Sequence, residues 1–164
     1  MLADMAAELG TINEKVAALD NEIKSIAGAD DDMRRLMEIP GVGPTIATAL
    51  VAAVGNGKAF GKGRDLAAWL GLVPRQVTTG GKAKLIGISK HGNTYLRKLL
   101  IHGARTVLHL VKDRSNPLAR WVDGLKARMH VNVAAVAMAN KLARIAWAVL
   151  TTGERYRPAA IANT

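Results

Sequence analysis

The chain has 164 residues, 23 lysines and arginines against 13 aspartates and glutamates, a formal net charge of +10 and no cysteine. That length suits one compact domain or a small domain with an extension, and the missing cysteines exclude a disulfide framework and a cysteine-ligated zinc site while suiting the cytoplasm. No apolar run approaches the roughly 18 residues of a spanning helix, and Asp4 and Glu8 stand where a signal peptide would be basic, so neither membrane insertion nor secretion is expected.

The charge is unevenly spread. Residues 1–38 carry 4 basic and 9 acidic side chains, leaving 19 basic and 4 acidic ones in residues 39–164, a net +15. A segment that basic has the electrostatic character of a nucleic-acid binder.

The first element repeats apolar residues at Leu2, Met5, Leu9, Ile12, Val16, Leu19, Ile23 and Ile26, in steps of three and four without a slip. This heptad seam predicts a coiled-coil helix over residues 1–28 and self-association through residues 2–26. The alternative is an amphipathic helix folded back on its own domain. Gly28 is expected to end the helix, and Asp30 to cap a short helix over Asp31–Glu38. The stretch IPGVGPTIATALVAAV then reads as a helix-hairpin-helix, turning at Gly41-Val42-Gly43 with Ile39 and Val42 inward and Pro44 at the first helical position. Such a turn aims free backbone N–H groups at one point, which suits a phosphate oxygen, although a plain helical corner uses the same residues.

A glycine-rich loop, GNGKAFGKG, follows with Lys58 and Lys62, and then a short helix around Asp65–Leu70 with Trp69 inward. Between Val73 and Arg97 the chain concentrates hydroxyls, glycines and cations: Arg75, Thr78, Thr79, Gly80, Gly81, Lys82, Lys84 and Lys90. The pattern predicts a β-hairpin with arms Arg75–Thr78 and Ala83–Ile88 about the turn Thr79-Gly80-Gly81-Lys82. Its lysines serve either a phosphate backbone or simple solvation.

The next helix is predicted from Thr94 to Lys112, capped by Asn93. Leu96, Leu100, Gly103, Val107 and Leu110 fall on one side, and Lys98, His102, Arg105, His109 and Lys112 on the other. A cationic and imidazole stripe free of acids can lie along a phosphate backbone, or it can be a solvated face. Asn116-Pro117 opens another helix with Leu118, Trp121, Val122 and Leu125 inward. Asn132 is expected to cap the last, whose inner face is read as Val133, Val136, Ala137, Ile145, Ala146 and Val149. The tail from Glu154 is expected to be loosely ordered.

Metal-assisted chemistry at phosphate needs clustered carboxylates, and the basic part offers only Asp65, Asp113, Asp123 and Glu154, widely scattered. No metal or other cofactor is expected. A hydroxyl nucleophile is conceivable at Thr78 or Thr79, where no base lies close in sequence.

The order IPGVGP, TALVAAVG, LAAWLGLVPRQ, TTGGKAKLIGISKHGNTYLRKLLIHGARTVL and ANKLARIAWAVL resembles the C-terminal transposase domain of the insertion-sequence one-ten family, in its eleven-eleven branch, over about Met33 to Pro158. The heptad helix resembles the coiled coil that joins this domain to a RuvC-like domain. The resemblance implies a DNA recombinase, guided in several members by a bridge RNA. In that family the RuvC-like domain carries an acidic, magnesium-binding tetrad and the C-terminal domain a serine nucleophile just before the glycines. Here Thr78 stands at the serine position, beside Thr79, and the acidic domain has no counterpart.

The expected protein is mainly α: a long coiled-coil-type helix (1–28), a DNA-binding domain (29–158) of helix-hairpin-helix, short β-hairpin and three-helix C-terminal bundle, and a tail (159–164). Its expected nucleic-acid contacts are Gly41, Gly43, Lys58, Lys62, Arg75, Gly80, Gly81, Lys82, Lys84, Lys90, Arg97, Lys98, His102, Arg105, His109 and Lys112. The expected function is DNA binding within transposition, as a truncated transposase inactive alone. Two alternatives stay open: a strand-transfer enzyme using Thr78 with a partner RuvC-like domain in trans, and a helical dimerisation module.

Overall fold

Apolar residues at helical spacing and two short arms flanking a glycine pair give seven helices and one β-hairpin among the residues described by the computed structural model, 1–110 and 116–158, without the side chains of Thr79, Lys82, Ala83 and Leu85. Lys112 and the 159–164 tail lie outside the described residues. The helices are α1 (Leu2–Ala29), α2 (Asp31–Met37), α3 (Pro44–Val54), α4 (Gly63–Trp69), α5 (Thr94–Leu110), α6 (Pro117–Lys126) and α7 (Val131–Thr152); β1 (Pro74–Thr79) and β2 (Lys82–Ile88) form the hairpin. The mainly α reading holds.

The helix α7 is the centre of the body, with α2, α4, α5 and α6 packed on it. Its buried face is Ala134, Ala135, Met138, Ala139, Leu142, Ala143, Ala146, Val149 and Leu150, and the run of alanines lets neighbouring backbones come close. At Gly63 an added Cβ would lie 3.0 Å from the Arg144 Cα. Val133, expected inward, is 55% exposed, and Val136, Ala137 and Ile145 are half-buried, so the inner face sits about one position around from the expected one. By length and hydropathy α7 could span a membrane, contrary to the expectation from its sequence; here that apolarity is used to meet four helices.

Several boundaries follow from caps. The Met33 N–H donates to Asp30 Oδ1 at 2.9 Å, Leu96 N–H to Asn93 Oδ1 at 3.0 Å and Leu118 N–H to Asn116 Oδ1 at 2.9 Å, as expected for these three residues. Asn132 is not the cap of α7; its N–H instead donates to His130 Nδ1 at 3.3 Å. Gly28 lies inside α1, which ends one residue later. Trp69 is 38% exposed and tilts against Phe60, and Leu110 is 71% exposed at the end of α5. The chain after α7 turns back at Gly153. Tyr156 is half-buried against the core, with burial raising its pKa, and Arg155 pairs with Glu38 at 3.6 Å, so residues 154–156 are more tightly held than expected.

The first helix meets the body only near its end. Ala27 is fully buried against α2 and α3, Ile23 is half-buried, and the rest of the heptad seam stays in solvent, with Leu2 81%, Leu9 60%, Val16 51% and Leu19 58% exposed. The seam is not folded back on this domain.

Candidate nucleic-acid interface

Of the expected contacts, four on α5 come out as one surface. Leu96, Leu100, Gly103 and Val107 are buried, and Lys98, His102, Arg105 and His109 are exposed along the opposite side. Among the described residues none of these four pairs with a carboxylate. The pattern exists because α5 has one side against α3 and α7 and the other in water, which sorts residues at 100° per position.

The turn between α2 and α3 does not join that stripe. Ile39 and Val42 are buried as expected. However, Gly41 presses on α5 from its buried side: a Cβ there would lie 2.5 Å from Gly103 O and 2.6 Å from Val107 Cγ2. Its glycine is accounted for by helix packing, without a phosphate. Gly43 is the extended N-cap of α3 and provides no side-chain cap, so the first amides of α3 have no side-chain partner. Lys58 and Lys62 are exposed on the loop before α4, and that loop is clamped to α7 by the Trp147 Nε1–H, which donates to Gly57 O at 3.2 Å and Phe60 O at 3.1 Å.

The hairpin forms with the expected turn. Gly80 and Gly81 have φ of +58° and +75°, positive values that a two-residue turn matching the strand twist requires. The register pairs Thr79 with Lys82, Thr78 with Ala83 and Val77 with Lys84, and an irregularity follows between Pro74 and Arg75. Directly paired residues share a face, and faces alternate along a strand. Thr78 therefore lies on the opposite face from Arg75, Val77 and Lys84. Thr78 is exposed and, among the described residues, has no hydrogen-bonding partner for its hydroxyl.

Arg97 requires a correction. It is 8% exposed, and its Nη1 donates to Leu70 O at 3.0 Å and His91 O at 3.3 Å while Nη2 donates to Thr94 Oγ1 at 3.1 Å. The guanidinium ties the chain entering the hairpin to the chain leaving it. Those two segments touch backbone to backbone, since a Cβ at Gly71 would overlap His91 O and one at Gly92 would overlap Trp69 O. Arg97 is a clasp at the base of the hairpin and is unavailable to a phosphate. A buried cation at a position called surface is hard to see in sequence, because its partners are backbone carbonyls that any residue carries.

One set of residues escaped the sequence reading. Between the base of the hairpin and α6–α7 lies an open groove of about 840 Å³, floored by Leu72, Ile86, Val136 and Ala137 and walled by Trp121, with Lys90, Lys141 and Arg144 around it. Lys141 Nζ sits 4.8 Å over the Trp121 ring. Burial, and then the neighbouring Arg144 charge, hold the Lys141 pKa below the usual lysine value. The signal was present: Lys141 and Arg144 are the sole charged residues of the 22-residue α7, three apart on one side. Among the described residues no three histidine, aspartate or glutamate side chains come together as metal ligands, so they do not fit the magnesium that the resemblance implies for a separate acidic domain.

The family model described as "Transposase IS116/IS110/IS902 family" matches residues 33–119, more than half of the chain. The chain belongs to this transposase family. Within it, the chain is 46% identical over 158 residues to a probable family 20 transposase of Pseudomonas aeruginosa, an alignment that covers 96% of the chain and 47% of the relative. It is 45% identical over 150 residues to the transposase for insertion sequence element IS1111A of Coxiella burnetii, covering 92% and 41%. A third family relative, the transposase for insertion sequence element IS1328 of Yersinia enterocolitica, is 43% identical over 153 residues, covering 93% and 46%. The chain thus spans somewhat under half the length of these transposases, and the family match runs from within α2 to the start of α6, including the hairpin and the whole cationic side of α5.

Proposed function

We propose that this chain is the DNA-binding and assembly part of a transposase, holding DNA mainly through its phosphates and pairing with other copies through α1. The observation that carries the reading is the α5 stripe, where Lys98, His102, Arg105 and His109 stand exposed in a row with no paired carboxylate among the described residues. Rows of cations position a protein on nucleic acid without reading sequence, because every phosphate offers the same charge. Lys58, Lys62, Arg75, Lys84 and the amides behind Gly43 add further sites for the same backbone, and Lys82 and Lys112 complete the basic segment. A structured guide RNA offers the same phosphates and would be held by the same rows. The missing cysteines suit work in the cytoplasm.

Thr78 occupies the position matched to the family's serine nucleophile, with Thr79 beside it. Among the described residues neither a base nor a metal-binding cluster stands near it, and its face of the hairpin excludes Lys84. In this reading the 164-residue chain binds DNA and does not cut it. The competing reading, a strand-transfer enzyme with Thr78 as nucleophile and an acidic domain in trans, draws support from the exposed hydroxyl at the tip of the hairpin.

The test is the salt dependence of binding to unrelated duplexes. The logarithm of affinity should fall linearly and steeply with the logarithm of salt concentration, and Lys98→Ala with Arg105→Ala should lower the slope by about 2 and weaken all sequences alike. A slope near zero would sink the reading.

A further inference from the structure

The groove between the hairpin base and α7 combines three things that the α5 stripe lacks: a concave shape, an aromatic wall and an apolar floor. Leu72, Ile86, Val136 and Ala137 line it, Trp121 closes one side with Lys141 Nζ 4.8 Å from its ring, and no aspartate or glutamate is among its described lining residues. Lys90, held in a left-handed conformation with φ of +58°, and Arg144 stand at its margin. The Asn140 amide is fixed by donating from Nδ2 to Leu72 O at 3.1 Å, and Asn132 lies exposed at the same groove.

Phosphates alone would not need such a site. A cation row on a convex helix serves a duplex, whose bases are stacked inside and whose charge is outside. A base that has left its stack exposes a flat apolar surface with polar edges and remains attached to a phosphate. It is stabilised by an aromatic or apolar wall together with nearby cations. An acidic peptide would meet the cations but would leave the apolar floor unused. A purely apolar segment would leave the cations without a partner.

We infer that this groove receives an unstacked nucleobase from a single-stranded or opened stretch of nucleic acid, with Trp121 and the α7 apolar residues against the base and Lys90 and Arg144 at its phosphate. The inference rests on the proposed nucleic-acid function and adds a second mode to it: duplex along α5 and single strand at the groove.

The experiment compares an oligothymidylate with an abasic deoxyribose-phosphate oligomer of the same length and charge, and with a duplex, all bound to the full chain. Stacking of one base is worth on the order of tenfold in affinity, so oligothymidylate should bind about tenfold more tightly than the abasic strand and should quench tryptophan fluorescence. Trp121→Phe should retain most of the preference and lose the quench. Val133→Glu, at an exposed position on the groove that the core does not need, should abolish the preference and leave duplex binding within about twofold. Equal binding of the two single strands by the unmodified chain overturns the inference, as does a preference that survives Val133→Glu. If Val133→Glu changes only the mass of the protein in solution, the groove is an interface between copies, and the inference falls. Loss of duplex binding at low salt, with the thymidylate preference intact, would count against the α5 reading instead, and binding of no oligonucleotide would end both.

Discussion

Arg97 and Lys98 are neighbours in sequence with the same charge, yet one is 8% exposed and the other lies open on the stripe. The difference is 100° of helix rotation, which turns Arg97 toward the two segments that frame the hairpin. Replacing it with methionine keeps the apolar stem but strips Leu70 O and His91 O of their donor. A buried acceptor left without its partner costs about 1–3 kcal/mol, so Arg97→Met should lower the free energy of unfolding by about 2–4 kcal/mol in urea titrations. The salt slope of DNA binding should not change at temperatures where the variant is folded. A lower slope in a fully folded variant would return Arg97 to the phosphate contacts. The chemistry of Thr78 depends on the same scale, because alternation along β1 puts its hydroxyl on the face away from Lys84.

Among the elements, α1 is the one whose surroundings do not explain its sequence. A helix of 28 residues in water would not need a continuous apolar seam, and exposing a large apolar side chain that could be buried costs about 1.5–3 kcal/mol at full exposure. Ala27 roots the helix on α2 and α3, and beyond it only another surface can cover Leu9, Ile12, Val16 and Leu19. Heptad seams of this kind pair with their like. The full chain is therefore expected to self-associate, and Leu9→Glu with Val16→Glu should give a monomer that still folds, since both positions are more than half exposed and the core does not use them. Sedimentation at several concentrations decides this. A double variant with the mass of the unmodified chain would show that α1 is not the contact.

At the scale of the molecule, the body is α7 with four helices around it, one row of cations is on α5 and the groove lies between the hairpin base and α6–α7. Phosphoryl transfer needs the nucleophile deprotonated, the leaving oxygen assisted and the charge on phosphorus met. The third requirement has candidates in the cations near the hairpin, and the first two have none among the described residues. The 164-residue chain incubated with labelled DNA and magnesium should give neither nicks nor protein-linked DNA on denaturing gels. A covalent species lost on Thr78→Ala would overturn this and promote the strand-transfer reading. Restored activity should require an acidic RuvC-like partner together with Thr78→Ser, which supplies a less hindered hydroxyl.

Local signals in the chain determined most of the elements. Asp30, Asn93 and Asn116 capped the helices they preceded, Gly80-Gly81 fixed the hairpin turn, and the period of α5 separated Lys98, His102, Arg105 and His109 from its core side. Each depends on residues within a turn or two of one another, which a sequence displays directly. The family resemblance was equally legible, because it is carried by ordered motifs. What only the tertiary structure decided came from residues far apart in the chain. Gly41 meets Gly103, Arg97 meets Leu70, and Leu72 and Ile86 meet Trp121 and Val136 to make the groove. The face of α7 was misjudged for the same reason: a helix apolar nearly all round has no strong direction of its own, so the helices packed on it chose which side was buried.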